Sequence, residues 1–226
     1  MNITLPDGSI RKMENGSTGL DLANDIGPGL AKAAIAVSVN NIQRDLSDPI
    51  NEDSEVSIIT IDSDEGLEIM RHTLTAQVLA RAVKNLYPNT KLAIGPTIKD
   101  GFYYDFEFVK PIAPDDLDKI EKEMQKIVNS KSSITKKLQT KKEALKVFNS
   151  AGESYKESII EESEQEEDFQ LYYQDDDAFV DLCRGPHLPN LSLIGEFKLT
   201  KVSGAYWRGD SEKPMLTRIY GTAWNN

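Results

Sequence analysis

Cysteine occurs once in the 226 residues, at Cys183, so no internal disulfide can form and a four-cysteine zinc site is excluded. Histidine is almost as scarce. His72 and His187 are the two imidazoles available as neutral-pH bases or metal ligands, which confines that chemistry to two places. No stretch approaches the ~18 uninterrupted apolar residues of a membrane helix, and residues 1–13 lack the apolar core of a signal peptide. A cytoplasmic protein is therefore the default expectation. An excess of positive charge is missing too: 26 Lys and Arg against 37 Asp and Glu give −11, which argues against non-specific gripping of phosphate backbones by the overall field.

What is present suits a globular chain, with 39% apolar and 28% charged residues and a length for one large domain or two small ones. Charge is uneven. Residues 131–146 hold six lysines and one acid, and 198–218 hold five basic residues against two acids. Residues 161–177 hold nine acids and no base. Each run reads most simply as a solvated face, the lysine run as a helix face, so a nucleic-acid ligand would have to be gripped locally.

Residues 2–13 read as a hairpin in which Ile3-Thr4-Leu5 and Ser9-Ile10-Arg11 flank a two-residue Asp7-Gly8 turn. Thr18 is placed to cap a short helix that Gly27-Pro28-Gly29 ends. Strands at 34–40 and 56–60, with a turn-rich loop at 45–50 between them, complete a ββαββ order that suits a β-grasp module. It carries four basic and nine acidic residues and neither histidine nor cysteine, so catalysis is not expected there.

The acidic stretch Asp62-Ser63-Asp64-Glu65-Gly66 separates that module from a helix with apolar Leu67, Met70, Leu74, Val78, Ala82 and Leu86. Two strands follow at 92–98 and 100–106. Pro114, Asp115 and Asp116 open an amphipathic helix whose apolar face is Leu117, Ile120, Met124, Ile127 and Val128. Thr140-x-x-Glu143 is a capping box for a further helix ending at Gly152, and the remainder reads mostly as strands. The fold class expected is α+β: a small β-grasp (ubiquitin-like) domain, then a larger α+β domain with a mixed or antiparallel sheet.

Asp181-Leu182-Cys183-Arg184-Gly185-Pro186-His187 sets the sole cysteine four residues from one histidine, and Pro186 disfavours a helix here. In a turn this spacing can bring both side chains to one pocket wall with Asp181 and Arg184. The plainer alternative is a small core cysteine and a turn histidine with its hydrogen bonds met. Two ligands do not make a zinc site, and His72 is the only imidazole able to add a third. Gly204-Ala205-Tyr206-Trp207-Arg208-Gly209-Asp210 sets stacking and cationic groups side by side, as single-stranded nucleic acid requires, although buried Tyr and Trp are also ordinary core residues.

Six motifs in order resemble one family. Met70-Arg71-His72, Ile94-Gly95-Pro96 with Gly101-Phe102-Tyr103-Tyr104-Asp105, Gly152-Glu153-Ser154-Tyr155-Lys156, the 181–187 motif, the 204–210 motif and Ile219-Tyr220-Gly221-Thr222-Ala223-Trp224 are similar to the amino-terminal half of bacterial-type threonyl-tRNA synthetases. The resemblance covers essentially the whole chain. It implies a TGS domain over 1–61 and an editing domain over 62–224, without the family's class II catalytic domain. ATP and zinc belong to that absent domain, so no cofactor and no metal are expected here, nor tRNA charging by this chain alone. The partners implied are the acceptor end of threonine tRNA bearing a seryl ester, and the catalytic and anticodon-binding domains of a parent synthetase in cis. No membrane partner is expected, and a monomer is.

Editing has a physical reason: serine lacks one methyl of threonine, worth about 1–3 kcal/mol in a pocket, too little for a synthetic site to reject it. A second site must hydrolyse the error. By position the resemblance implies a catalytic set of His72, Lys156, Cys183 and His187, in which His72 and Lys156 orient or activate water and offset developing charge. The substrate-binding set is Gln77, Tyr104, Asp181 and Arg184. A thioester route through Cys183 is conceivable, but hydrolysis of an activated ester does not require one.

One departure stands out. The family's helix carries His-x-x-x-His, whereas here Ala76 follows His72 by four and Gln77 by five, so the chain is one residue longer and Gln77 takes the second histidine's place. Gln is a poor base and a poor zinc ligand. Positions five apart on a regular helix differ by about 140°, so either a π-bulge between Arg71 and Val78 or a helix starting after His72 is expected, turning both side chains toward Cys183 and His187. The rival to an editing enzyme is a catalytically inactive module that binds the acceptor end, with Gln77 marking a decayed site. A regulatory β-grasp protein is a third reading, against which Lys156, Cys183 and His187 count.

Overall fold

The computed structural model describes residues 1–175 and 177–225. The chain divides into two units, one of residues 1–70 with 185–189 and Asn225, the other of residues 71–184 with 190–224.

In the first unit β1 (Asn2–Thr4) and β2 (Ile10–Lys12) pair antiparallel, Thr4 opposite Ile10. Leu5 N–H donates to the Ser9 carbonyl, so the connection is Pro6-Asp7-Gly8 and not the expected two-residue turn. Pro6 has no N–H to extend the ladder, and Gly8 supplies the left-handed φ of +82° that closes the longer loop. Thr18 caps α1 (Gly19–Ile26) in a reciprocal box with Asp21. Gly27 ends that helix, but Pro28 opens α2 (Pro28–Ala33), because a fixed φ and a missing N–H suit a first helical position.

A strand absent from the expectation follows. Between β3 (Ala34–Val39) and β4 (Ile42–Asp45), Asn40 and Asn41 take φ of 50° and 64°, the paired left-handed residues of a tight hairpin. With β5 (Ser54–Thr60) the sheet order is β2-β1-β5-β3-β4, the β1 and β5 pair parallel and the others antiparallel. This mixed sheet with α1 against it is a β-grasp fold. Its core is Ile3, Leu22, Val37, Val39, Ile50 and Val56, each side chain contributing about 1.5–3 kcal/mol by burial.

The chain enters the second unit within α3 (Asp64–Thr73), which continues as a π-helical segment, Leu74–Leu79, and then α4 (Ala80–Leu86). Two short strands, β6 (Lys91–Leu92) and β7 (Thr97–Ile98), pair with opposite ends of β8 (Gly101–Glu107). A 3-10 turn, Pro114–Asp116, leads into α5 (Leu117–Asn129), whose buried residues are the five of the expected apolar face. The lysine run is not one helix face. Residues 134–139 form β9 (Ile134–Gln139), whose partner strand is formed by residues 169–174, and only then does Thr140 cap α6 (Lys141–Ala151). Gly152, at φ +70°, ends α6 in the left-handed region.

Helix α7 (Ser154–Glu161) lies where strands were expected. It buries Tyr155, Lys156 and Ile160, a face that needs α6 beside it to be recognisable. The chain closes with β10 (Phe169–Gln174), β11 (Phe179–Leu182), β12 (Glu196–Tyr206) and β13 (Met215–Trp224). Two sheets result among the described residues of this unit, β11-β10-β9 and β12-β13-β8-β6 with β7 on β8, all antiparallel, and with the helices the class is α+β. No helix among the described residues is long and apolar enough to cross a membrane.

Candidate active site

The extra residue after His72 is absorbed by the helix. Within Leu74–Leu79 the bonds run i→i+5, the Ala80 N–H reaching back to the Thr75 carbonyl, so of the two expected solutions the wide turn is the one taken, overlapping the anticipated 71–78 window. Thr75 contributes locally. Its hydroxyl donates to the Arg71 carbonyl at 2.7 Å, a back-bond that competes with the regular ladder and favours bending. Arg71 anchors the start of the segment in the second unit, donating to the Ala223 and Lys99 carbonyls and stacking 4.5 Å from the Trp224 ring centre.

His72 faces Cys183, with Nε2 2.7 Å from Sγ. One proton serves this contact, carried either by the thiol or by the imidazole. Two residues before Cys183, Asp181 sits on β11 and is 1% exposed. Its Oδ1 pairs with Lys156 Nζ at 2.7 Å and its Oδ2 accepts from the Tyr104 hydroxyl at 3.0 Å. Lys156 Nζ also lies 5.6 Å from the Tyr104 ring centre. Burial pushes the Tyr104 phenol well above its ordinary range, reinforced by the Asp181 carboxylate and, more weakly, by Glu153 and Cys183, so it stays a neutral donor.

Three devices hold the elements of this cluster. Glu153, buried just before α7, accepts from Lys84 Nζ at 2.6 Å and from the Leu92 backbone at 2.7 Å, tying the start of α7 to α4 and β6. Tyr155 donates to Glu107 at 2.5 Å and meets the Trp207 ring edge-on at 4.8 Å. Gly95 lets the 93–96 loop lie flush on the site, since a Cβ there would stand 2.2 Å from the Tyr104 ring and 2.7 Å from the Thr75 methyl.

The second unit therefore brings together His72, Tyr104, Lys156, Asp181 and Cys183. Gln77 is buried and pairs instead with Gln174, whose Nε2 donates to Gln77 Oε1 at 2.8 Å. Arg184 is exposed. His187 is counted with the first unit, where it is buried and its backbone N–H donates to Asp45 at 2.9 Å. The 204–210 motif splits: Trp207 is core, while Tyr206 and Arg208 are exposed and Arg208 pairs with Glu162. Sequence reasoning singled out neither Glu153 as an anchor nor Gln174 and Arg81. Nothing local marks a polar residue that will be buried against a partner tens of residues away. Imidazole nitrogen and thiol sulfur are both metal-ligand atoms, and the sequence holds one further imidazole, His187.

Two family models match the chain: the TGS domain over residues 1–60, and the threonyl and alanyl tRNA synthetase second additional domain over residues 170–220. The chain carries both domains in tandem. Threonine–tRNA ligases are similar to it along nearly its full length: that of Hahella chejuensis is 51% identical over 224 residues, 99% of this chain and 35% of that protein. The enzyme of Acidithiobacillus ferrooxidans is 49% identical over 223 residues, with 99% and 34% covered, and that of Rhodospirillum rubrum is 50% identical over 223 residues, with 98% and 34% covered. The chain thus spans about a third of the length of the ligases it matches. As the resemblance implied, the chain combines matches to the TGS and second additional domains and is similar, along nearly its full length, to about a third of these threonine–tRNA ligases.

Proposed function

We propose that this TGS and second additional domain pair is the editing region of a threonine–tRNA ligase and hydrolyses serine mischarged on threonine tRNA, a proofreading step of translation in the cytoplasm. The proposed division is a TGS domain over 1–61 and the editing domain over 62–224. The observation that carries the reading is the buried Lys156–Asp181–Tyr104 cluster, whose Asp181 stands on β11 two residues before the Cys183 that contacts His72. A polar cluster costly to bury supports a task beyond packing.

In this reading a water attacks the ester carbonyl, negative charge grows on the carbonyl oxygen, and the ribose oxygen leaves with a proton. The His72 imidazole orients the water and takes its proton, then returns it to the leaving ribose oxygen. The Lys156 ammonium, placed by α7, offsets the growing negative charge. Asp181 has a second role, pairing with the ammonium of the seryl group, and neutral Tyr104 keeps that carboxylate oriented while meeting the ribose. Cys183 fixes His72 and limits the room for the threonine methyl. Arg184 contributes contact to the tRNA end. Hydrolysis by this route calls for neither ATP nor a metal. The other ligase domains, in cis, supply the mischarged tRNA.

The test compares deacylation of seryl-tRNA and threonyl-tRNA by the 226-residue chain. Seryl-tRNA should be cleaved much faster, because the extra methyl displaces the carbonyl or the water. Equal rates would overturn the proofreading reading. The replacement of an imidazole by Gln77 favours one other reading, an inert acceptor-end binding module, and tRNA binding without deacylation would select it.

A further inference from the structure

Two glutamine side chains face each other inside the second unit. Gln77, on the π-helical segment, is 0% exposed and Gln174, the last residue of β10, is 1% exposed. Gln174 Nε2 lies 2.8 Å from both the backbone oxygen and Oε1 of Gln77, and Gln174 Oε1 accepts from Arg81 at 3.0 Å. Arg81 in turn pairs with Asp175 at 2.7 Å.

Chemistry dictates the direction of every bond in this chain. A guanidinium only donates, so the Gln174 atom facing it is oxygen; a backbone carbonyl only accepts, so the Gln174 atom facing that is nitrogen. That nitrogen requires an acceptor on the Gln77 side chain, which turns the Gln77 oxygen inward and its amide nitrogen away. Gln77 Nε2 is left buried with no acceptor among the described residues. A buried donor in that state is disfavoured, and native proteins meet it with water or a ligand. The segment that carries it packs against β8 and β11, the strands of Tyr104 and Asp181.

We propose that Gln77 Nε2 is a locked hydrogen-bond donor to an oxygen of the aminoacylated adenosine, and that Gln174 and Arg81 are positioning residues that set its polarity. The identity of that ligand rests on the editing reading. An imidazole at this position donates or accepts according to its protonation; an amide held by Arg81 and Gln174 donates at every pH, so the extra residue and the histidine's replacement form one consistent device.

The test uses adenosine bearing serine through a 3′-amide, a mimic that cannot be hydrolysed, titrated calorimetrically into the wild type, Gln77→Leu, Gln174→Glu and the double variant. The carboxylate introduced by Gln174→Glu still accepts from Arg81 but offers no N–H, so the Gln77 amide turns its nitrogen to it. Each single variant should weaken binding about tenfold. The double variant should bind no more weakly than Gln77→Leu alone, because Gln174 acts only through Gln77. Urea midpoints accompany each titration, and Gln174→Glu, which keeps the Arg81 bond, carries the test if Gln77→Leu does not fold. Unchanged affinity in the variants, additive losses in the double variant, or no binding by the wild type would overturn the proposal. Wild-type binding that weakens in the variants, without any seryl-tRNA deacylation, would uphold it and overturn the editing reading instead.

Discussion

Lys156→Met deletes the cation facing Asp181 and leaves its volume nearly filled. Two unit charges 2.7 Å apart attract by about 6 kcal/mol at an effective dielectric of ~20, which offsets the removal of both groups from water. Deleting one partner leaves the other's desolvation uncompensated, at a cost of about 3–5 kcal/mol. Asp181 keeps two donors, the Tyr104 hydroxyl and the Leu182 N–H, so the lower end, about 3 kcal/mol, is expected. In urea titration, with a slope of roughly 1–3 kcal/mol/M, that loss moves the midpoint down by roughly 1–3 M. Adding Asp181→Asn removes the stranded charge while retaining an acceptor for Tyr104, so the double variant should be more stable than Lys156→Met alone. A loss below about 1 kcal/mol in Lys156→Met, or a double variant less stable than the single, would refute the account of an obligate buried pair.

Gly95→Ala should destabilise by about 1–3 kcal/mol, since the new methyl meets the Tyr104 ring and that ring is tethered to Asp181; a thermal midpoint equal to wild type would show the loop yields freely. Thr18→Ala should cost about 1 kcal/mol through loss of the α1 cap, read by chemical denaturation. The Thr18 backbone and hydroxyl hold the Asp21 carboxyl below its usual range, so its stabilisation is present above the unfolded pKa of about 3.9 and is lost as pH falls through the lower folded value. Asp21→Asn should thus be less stable than wild type at pH 7, the two converging in acid. His72→Ala should lower seryl-tRNA deacylation by about 10²–10⁴, and Gln77→Ala by less; wild-type rates in His72→Ala would remove it from the mechanism. Neutralising Lys136, Lys137, Lys141 and Lys142 together should weaken tRNA binding and flatten its salt dependence; unchanged affinity would make them solvent-facing lysines only.

Much of this fold was legible in the sequence. The five apolar positions of α5, the Thr18 cap, the Thr140 and Glu143 box, and the short apolar runs of β3 and β5 between turn residues are local patterns. The single extra residue between His72 and Gln77 reduced the choice to a wide turn or a later helix start, and the structure takes the wide turn. Other elements were not legible, for identifiable reasons. The exposed strand β4 shows no apolar alternation and is revealed only by the paired Asn40 and Asn41. The adjacent Lys136 and Lys137 of β9 look like part of a helix face until β10 supplies hydrogen bonds, and α7 buries a lysine among its few apolar residues.

The sequence by itself determined which residue types are available for chemistry, two imidazoles, one thiol and a few motif carboxylates and lysines, and where the chain turns. Tertiary structure alone decided that Lys156 meets Asp181 and Tyr104, that Glu153 anchors α7, and that Arg81 and Gln174 orient Gln77. Partners 25 to 97 residues apart leave no periodic trace, because a buried polar group is selected by the single partner that meets it, and that partner is known only once the chain has folded.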